Sequence, residues 1–311
     1  MKTRNLGNTG IKVSDVGFGA WQLGNQRDWG SMTDEEAVYL VHQAMDMGCN
    51  FFDTAPNYGS GKSEELLGKA FKGKRDRVVI SSKCGHQSND EQSFEPEKLI
   101  LSVEDSLRRL QTEYLDSLLL HNPPFSTLNG DSPQFEVLEI LKEQGKIRAY
   151  GASVDTGKEM DELISKTDSQ IIEVMFNLFH QEPSAAMKSA HKQGIGVIVK
   201  VPLDSGWLTG KYDATSTFSG IRSRWSEKEI QRRGKLVEKV RHTRGDDTSM
   251  VQAALQYILS YDAVSTVIPG ARNIQQLNQN ISSSVGSLPL KVIKELENMW
   301  DEEIKNSKLT W

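Results

Sequence analysis

The sequence predicts an α/β fold: one (β/α)8, or TIM, barrel with an N-terminal β-hairpin closing its bottom and long loops at its C-terminal mouth. Short apolar segments alternate with longer amphipathic ones along most of the chain, and strand–helix repeats in this order build parallel sheets with right-handed crossovers. The 311 residues suit one such barrel with extra loops. An open doubly wound sheet could give the same alternation, but no GxGxxG follows the first strand.

The N-terminal stretch 4–21 differs from the rest of the chain. Two short alternating runs flank the turn at Asn8, Thr9 and Gly10, which is a hairpin signal. We expect this hairpin to cover the bottom of the barrel. No internal repeat or low-complexity segment marks a domain boundary, so residues 1–311 are predicted to form one domain.

The remaining elements follow in regular order. Thr33 and Glu36 form a capping box at the start of a helix that Gly48 ends. Further on, residues 204–227 are rich in Gly, Ser, Thr and Arg and are predicted to form a long loop. Strands are predicted at 49–54, 78–82, 115–120, 147–152, 171–175, 197–201 and 265–268. Helices are predicted at 33–47, 63–72, 96–110, 132–144, shortly after 152, at 183–193, 228–241 and 248–260, from about 273, and at 288–304.

Composition narrows the class of protein. The chain is 37% hydrophobic and 25% charged with a net charge of −5, a mildly acidic balance that argues against a nucleic-acid or anionic-membrane surface. It has no apolar run of about 18 residues and no apolar secretory signal. Cys49 and Cys84 form neither a disulfide framework nor a metal motif. We therefore expect a cytoplasmic protein with reduced thiols and no metal.

Four polar residues lie at or just past the ends of predicted strands: Asp53, Tyr58, Lys83 and His121. Such positions meet at the mouth of a barrel. An ammonium lowers the pKa of a nearby phenol, ordinarily about 10, so Lys83, held by Asp53, would assist proton donation by Tyr58. The imidazole would hydrogen-bond a substrate oxygen. Together they could polarise a carbonyl and protonate the resulting alkoxide. None can supply a hydride, so a reduced cofactor is required, most simply NADPH or NADH.

Seven motifs carry a family resemblance. They are GFGAW at 17–21, DTAPNYGSGKSEELLG at 53–68, SSKCG at 81–85, YLDSLLLHNP at 114–123, GKIRAYGAS at 145–153, VPLDSGWLTGKY at 201–212 and IPGARNIQQLNQN at 268–280. In this order and spacing the chain resembles an aldo-keto reductase over essentially its whole length. The resemblance implies a (β/α)8 barrel that reduces aldehydes and ketones with NADPH and without metal or flavin.

The resemblance also implies roles for individual residues. Tyr58 would be the general acid, tuned by Lys83 and Asp53, and His121 would orient the carbonyl. Arg272 suits the 2′-phosphate of NADPH, because its guanidinium can bind a phosphate with two hydrogen bonds. The implied cofactor-binding residues are Gly19, Ala20, Trp21, Asp53, Ser153, Glu173 and Lys200 toward the nicotinamide, Pro202, Leu203, Asp204, Ser205, Gly206, Leu208, Lys211 and Arg222 around the pyrophosphate, and Gly270, Arg272, Gln276 and Asn280 at the adenosine end.

Three residues depart from the family pattern at the nicotinamide. Val154 stands where Asn or Arg is usual, Glu173 where a carboxamide-binding Gln is usual, and Lys200 where a stacking aromatic is usual. Glu173 and Lys200 end neighbouring predicted strands. We expect them to form an ion pair under the nicotinamide, which would weaken or alter its binding and leave the adenosine contacts to dominate affinity.

Other readings of the sequence remain open. The alternative function is a regulatory or weakly active nicotinamide-binding protein resembling channel β subunits, although their histidine position is typically altered and His121 is intact. A barrel hydrolase of another family is a third alternative, but the sequence shows no paired carboxylates or metal-ligand cluster to support it. The stretch 56–63 ends like a phosphate-binding loop, but Pro56 replaces its first glycine. We expect a small carbonyl substrate, a possible homo-oligomer and no nucleic-acid or membrane partner. Residues considered for the substrate pocket are His86, Trp21, Trp29, Phe125 and Trp311.

Overall fold

A computed structural model of the protein describes residues 1–310, except the side chain of Ile221. Its main sheet has eight parallel strands in sequential order. Parallel bridges from Val16 to Val267 and from Gly19 to Gly270 join its first and last strands, so the sheet closes into the predicted barrel. The strands are β3 (Phe18–Gly19), β4 (Phe51–Asp53), β5 (Val79–Cys84), β6 (Ser117–His121), β7 (Tyr150–Val154), β8 (Ile171–Met175), β9 (Gly196–Lys200) and β10 (Val264–Val267), after a hairpin of β1 (Thr3–Asn5) and β2 (Lys12–Ser14).

Helices cover the outside of the barrel. The capping box of Thr33 and Glu36 is formed as predicted, and the helix after β7 has another, formed by Thr156 and Glu159. None of the helices in residues 1–310 has the length and apolar content needed to cross a membrane. The helices are α1 (Gln26–Trp29), α2 (Asp34–Asp46), α3 (Lys62–Phe71), α4 (Pro96–Leu110), α5 (Pro133–Glu143), α6 (Gly157–Lys166), α7 (Ser184–Lys192), α8 (Glu227–Thr243), α9 (Met250–Leu259), α10 (Ile274–Ser282) and α11 (Leu290–Met299).

The hairpin lies where it was predicted. Its strands pair antiparallel, and the amide of Asn8 donates to the carbonyl of Gly194, 2.7 Å away, just before β9. Leu6 and Val13 are 0% exposed and belong to the apolar core inside the barrel. Gly7 permits this approach: its φ is +56°, and a Cβ there would lie 2.4 Å from the Gly194 carbonyl oxygen. The hairpin therefore closes the amino-terminal end of the strands.

The pleat of the strands separates an apolar floor from a polar mouth. Because successive side chains in a strand point to opposite faces, the inward positions of one strand recur every second residue. On β4 the inward Phe51 lies in the apolar floor, and Asp53 stands one inward position closer to the mouth. On β5 the same alternation places Lys83 on the same face as Val79 and Ser81 but closer to the mouth. The floor consists of Leu6, Ile11, Val13, Phe51, Val79, Leu119, Ala149, Ile171, Ile198 and Ile268.

Candidate active site

The structure brings the four predicted catalytic side chains to the mouth of the barrel. Lys83 Nζ lies 2.5 Å from Asp53 Oδ1 and also donates to the carbonyl oxygen of Thr54, 3.1 Å away. The same ammonium is 5.3 Å from the centroid of the Tyr58 ring. The Tyr58 and His121 rings meet edge to face, with centroids 6.0 Å apart. An acid, an amine, a phenol and an imidazole thus surround one point.

The charge of Lys83 is retained despite its burial. The residue is 1% exposed, and burial by itself lowers the pKa of an amine. The carboxyl groups of Asp53 and Glu173 outweigh this effect and hold the pKa of Lys83 above its ordinary value. A positive charge is therefore fixed beside the Tyr58 ring.

The pKa of Tyr58 is shifted upward, whereas the sequence predicted that Lys83 would lower it. Burial raises the pKa of Tyr58, and Lys83 lowers it as expected, but the carboxyl groups of Asp53 and Glu173 act in the same direction as burial. The net result is a pKa above the ordinary value of a phenol. In the free protein, Tyr58 is therefore firmly protonated, as a proton donor must be before the reaction.

His121 is held as a neutral imidazole. Burial, followed by the charge of Lys83, lowers its pKa well below the ordinary value of histidine. Its Nδ1 is buried and has no hydrogen-bond partner within the described part of the chain. The His86 ring lies against it, with centroids 4.6 Å apart. His86 therefore lies beside His121, and a neutral His121 can donate one N–H to a substrate oxygen.

The predicted ion pair between Glu173 and Lys200 is wrong. Among the described side chains, the ion-pair partner of Glu173 is Lys83, whose Nζ lies 3.5 Å from Glu173 Oε2. Ser153 lies between the two predicted partners: it donates to Glu173 Oε1 at 2.8 Å and Lys200 Nζ donates to its Oγ at 2.8 Å. A hydroxyl, not an ion pair, therefore connects Glu173 with Lys200.

Lys200 has two further partners that sequence reasoning missed. Its Nζ lies 2.7 Å from Asn122 Oδ1 and 3.0 Å from Asp155 Oδ1. Both residues directly follow barrel strands, β6 and β7, so their position at strand ends was the available signal. The third departure from the family pattern, Val154, is 1% exposed and belongs to the outer apolar core. Its side chain therefore faces away from the other two.

Aromatic side chains line one side of the mouth. The Trp21 ring is 39% exposed and lies 5.3 Å from the Trp29 ring and 6.3 Å from the Tyr58 ring. Phe125 contacts the Lys158 ammonium instead, 4.6 Å from its ring centroid. Trp311 lies outside the described residues. Trp21 and Trp29 are thus the aromatic residues placed beside the catalytic side chains.

The segment after β9 forms a tight cradle. Asp204, Ser205 and Gly206 have φ values of 45°, 54° and 100°. Arg222 Nε donates to the Ser205 carbonyl at 3.1 Å, and Arg224 Nη2 donates to Ser205 Oγ at 2.9 Å. Two guanidinium groups therefore lie beside this turn, a setting that suits the phosphates of a dinucleotide. Arg224 was not among the predicted cofactor residues, although it lies two positions from Arg222.

Asp204 and Leu208 are buried within this cradle. Asp204 is 3% exposed and forms an ion pair with the buried Arg233 of α8. Burial raises the pKa of Asp204 above its ordinary value, although Arg233 opposes this. The Leu208 side chain is 0% exposed. Because both side chains are buried, Asp204 and Leu208 can make the predicted cofactor contacts only through their backbone atoms.

The far end of the predicted cofactor groove is formed at the start of α10. The Arg272 side chain is exposed, and its amide donates to Gln276 Oε1 at 2.9 Å. Asn280 Nδ2 donates to the Gly270 carbonyl at 3.1 Å. A Cβ on Gly30 would lie 3.2 Å from Arg272 Nη2, so the loop carrying α1 reaches this end. The cationic, partly exposed rim fits an anionic dinucleotide.

The sequence model of the aldo/keto reductase family matches residues 15–301. The chain belongs to the aldo/keto reductase family. This agrees with the barrel described above.

Individual relatives span nearly the whole chain. The uncharacterized oxidoreductase YqkF of Bacillus subtilis (strain 168) is 30% identical over 98% of each protein. The NADH-specific methylglyoxal reductase of Escherichia coli (strain K12) is 28% identical over 96% of this chain and 100% of that protein. A probable voltage-gated potassium channel subunit beta of Arabidopsis thaliana is 28% identical over 93% of each. The holo structure of aldo-keto reductase AKR11C1 from Bacillus halodurans covers 96% of each chain at 26% identity, with a TM-score of 0.80.

Proposed function

We propose that this protein is a carbonyl reductase that converts aldehydes and ketones to alcohols with NADPH. One observation carries the proposal: a buried Lys83 contacts Asp53 at 2.5 Å and places its charge 5.3 Å from the Tyr58 ring. A fixed cation beside a protonated phenol favours proton donation as negative charge develops on a carbonyl oxygen. Membership of the aldo/keto reductase family supports the same reaction.

In this proposal each side chain of the site has its own role. Tyr58 donates its proton to the substrate oxygen, and the Lys83 charge stabilises the phenolate that remains. His121, being neutral, donates an N–H to the same oxygen and orients the carbonyl. Trp21 and Trp29 provide an apolar wall that excludes water from the bound substrate.

The proposed cofactor is NADPH, which would supply the hydride when bound. The phosphates fit the cradle at Ser205, where Arg222 and Arg224 lie, and the adenosine fits the rim at Arg272. An exposed guanidinium at this end can bind a 2′-phosphate. The NADH-specific relative from Escherichia coli means that family membership alone leaves this preference open, so the preference rests on Arg272.

The remaining proposals concern the whole protein. We propose that residues 1–311 form a single domain that acts in the cytoplasm and assembles into a homo-oligomer. The substrate is a small carbonyl compound.

The rival function is nicotinamide binding without efficient catalysis. One observation favours it: Ser153 and Glu173, proposed to face the carboxamide, are already engaged with each other and with Lys200. The similarity to a probable channel subunit beta is consistent with this rival. The two functions differ in turnover, because the rival binds cofactor but consumes little of it.

The experiment that tests the proposal follows NADPH oxidation and alcohol formation with a nitrobenzaldehyde. Tyr58→Phe should lower kcat at least about 100-fold, which is the lower end of a general-acid contribution. Tyr39→Phe is the matched control, because Tyr39 lies on α2 and is 57% exposed; it should retain wild-type turnover. A wild-type rate no higher than that of Tyr58→Phe would refute the proposed reductase activity and favour nicotinamide binding without efficient catalysis.

A further inference from the structure

Two carboxyl groups share a single buried lysine at the centre of the mouth. Asp53 comes from β4 and Glu173 from β8, which stand on opposite sides of the eight-stranded barrel. Their side chains are each 2% exposed, and that of Lys83 between them is 0% exposed. Two carboxylates in one dry site repel each other, and such pairs hold a proton that isolated carboxylates would release.

One oxygen of each carboxyl group has no hydrogen-bond partner in the described part of the chain. These atoms are Asp53 Oδ2 and Glu173 Oε2. The other oxygens are satisfied: Asp53 Oδ1 accepts from Lys83, and Glu173 Oε1 accepts from Ser153. An unpartnered buried carboxylate oxygen is costly. One proton between Oδ2 and Oε2 would satisfy both atoms at once.

The surroundings determine which carboxyl group holds that proton. Glu173 faces Lys83 directly and is connected through Ser153 to Lys200, so two cations and a hydroxyl favour its charged form. Asp53 has the shorter contact with Lys83, 2.5 Å, but no second cation among the described residues favours its charged form. The proton therefore belongs on Asp53, with Glu173 as its acceptor.

The other titratable groups at this point are consistent with that assignment. Tyr58 stays protonated and His121 stays neutral, so neither supplies a compensating charge. Asp155 forms its ion pair with Lys200, at 3.0 Å.

We propose that Asp53 and Glu173, here called the carboxyl pair, share one proton between Asp53 Oδ2 and Glu173 Oε2, which makes Glu173 a positioning residue for Asp53 and Lys83. This inference rests on the proposed function for its catalytic meaning, but not for the proton itself. Burial and the Glu173 charge raise the pKa of Asp53 well above its ordinary value. Lys83, Lys200 and Ser153 lower that of Glu173, although burial opposes them.

The shared proton has a consequence for the reaction. With it, the carboxyl pair carries one negative charge, which Lys83 balances, so the centre beside Tyr58 is neutral overall. Without it, a second negative charge would oppose formation of a phenolate at Tyr58. Glu173 would thus hold Asp53 in place by a hydrogen bond, while the pair carries the same single negative charge as an Asp53 carboxylate alone.

Infrared spectroscopy of the full-length protein tests the inference without any turnover. A protonated carboxyl group has a carbonyl stretch distinct from that of a carboxylate. Wild type near neutral pH should show this band for one aspartate, shifted by carboxyl-¹³C aspartate labelling. Glu173→Gln and Asp53→Asn should both lose it, because each leaves one carboxylate paired with Lys83. Either variant suffices if the other fails to fold.

The matched control is Glu64→Gln. Glu64 is equally buried, but it is fully engaged by Arg109 and Ser82, so this substitution should leave the band in place. Absence of the band in wild type, or its persistence in Glu173→Gln and Asp53→Asn, would overturn the inference. The band with no NADPH oxidation would refute only the proposed function. Oxidation that depends on Tyr58 in a protein lacking the band would refute only the shared proton.

Discussion

At the scale of single residues, the chemistry of the site depends on how many charges surround Lys83. Its ammonium lies 2.5 Å from Asp53 Oδ1 and 3.5 Å from Glu173 Oε2. It keeps its charge because these carboxyl groups outweigh burial. Tyr58 and His121 complete the set as a protonated phenol and a neutral imidazole. Lys83, Tyr58 and His121 thus begin in the protonation states that the proposed carbonyl reduction requires.

The raised pKa of Asp53 predicts a pH dependence of stability. A carboxyl group with a raised pKa binds its proton more tightly in the folded state, so its stabilisation is complete below its unfolded pKa of about 3.9. That stabilisation is lost as pH rises toward the folded pKa, by about 1.4 kcal/mol per pH unit. Glu173→Gln should remove this component of the slope.

Urea unfolding of wild type and Glu173→Gln between pH 5 and 8 measures the difference. The wild-type free energy of unfolding should fall more steeply with rising pH than that of the variant. Glu64→Gln should follow the wild-type slope. Equal slopes for wild type and Glu173→Gln would show that Asp53 titrates normally.

A second prediction at this scale concerns Arg272. If its exposed guanidinium binds the 2′-phosphate, Arg272→Ala should weaken NADPH binding roughly 10- to 100-fold, since hydrogen bonds to charged groups contribute about 1.5–3 kcal/mol. NADH binding should change little. Fluorescence titration with both cofactors provides the ratio of the Kd for NADH to the Kd for NADPH. Lys291→Ala is the control, because that side chain is 86% exposed. An unchanged ratio would remove Arg272 as the source of preference.

At the scale of elements, three separate segments meet around the predicted phosphate position. The cradle at 204–206, the short turn carrying Arg222, and the loop carrying α1 are tied together by side chains. Arg222 donates to the Ser205 carbonyl and its guanidinium lies 4.7 Å from the Trp29 ring centroid. These contacts hold the cradle in strained backbone conformations that it would not keep alone.

This arrangement predicts that Arg222→Ala weakens NADPH binding about tenfold or more, because a charged donor and the connection to Trp29 are lost together. Lys228→Ala is the control, an exposed cation at the start of α8. Equilibrium binding measured calorimetrically distinguishes them. If both variants bind NADPH like wild type, the cradle does not depend on Arg222.

Sequence periodicity predicted most elements because they are long and bury one face. The strand predicted at 171–175 and the helix predicted at 96–110 match Ile171–Met175 and Pro96–Leu110. The strand Phe18–Gly19 was missed, since two residues are too few to show alternation. The Glu173–Lys200 pair was wrong because adjacency of strands does not reveal an intervening hydroxyl or a competing lysine across the barrel. Such contacts depend on three-dimensional placement.

At the scale of the whole molecule, the barrel is a polar mouth supported by an apolar floor that the hairpin completes. Leu6 is 0% exposed within this floor. Leu6→Ala should therefore destabilise the protein by about 2–5 kcal/mol, through lost burial and a cavity. Leu101→Ala, at a position 60% exposed on α4, should cost far less.

Thermal unfolding compares the two variants. A clear fall in Tm for Leu6→Ala alone would fit a hairpin that is part of the core. Equal Tm values would mean that the hairpin is only attached to the barrel's surface.

We propose that a hydride and a proton are transferred to a carbonyl compound at this mouth. The most direct measurement follows deuterium from NADPH labelled at the transferable C4 position into the alcohol formed from a nitrobenzaldehyde. Wild type should place one deuterium on the carbinol carbon, and Tyr58→Phe should incorporate it at least about 100-fold more slowly. Tight NADPH binding with no deuterium in any product would contradict it.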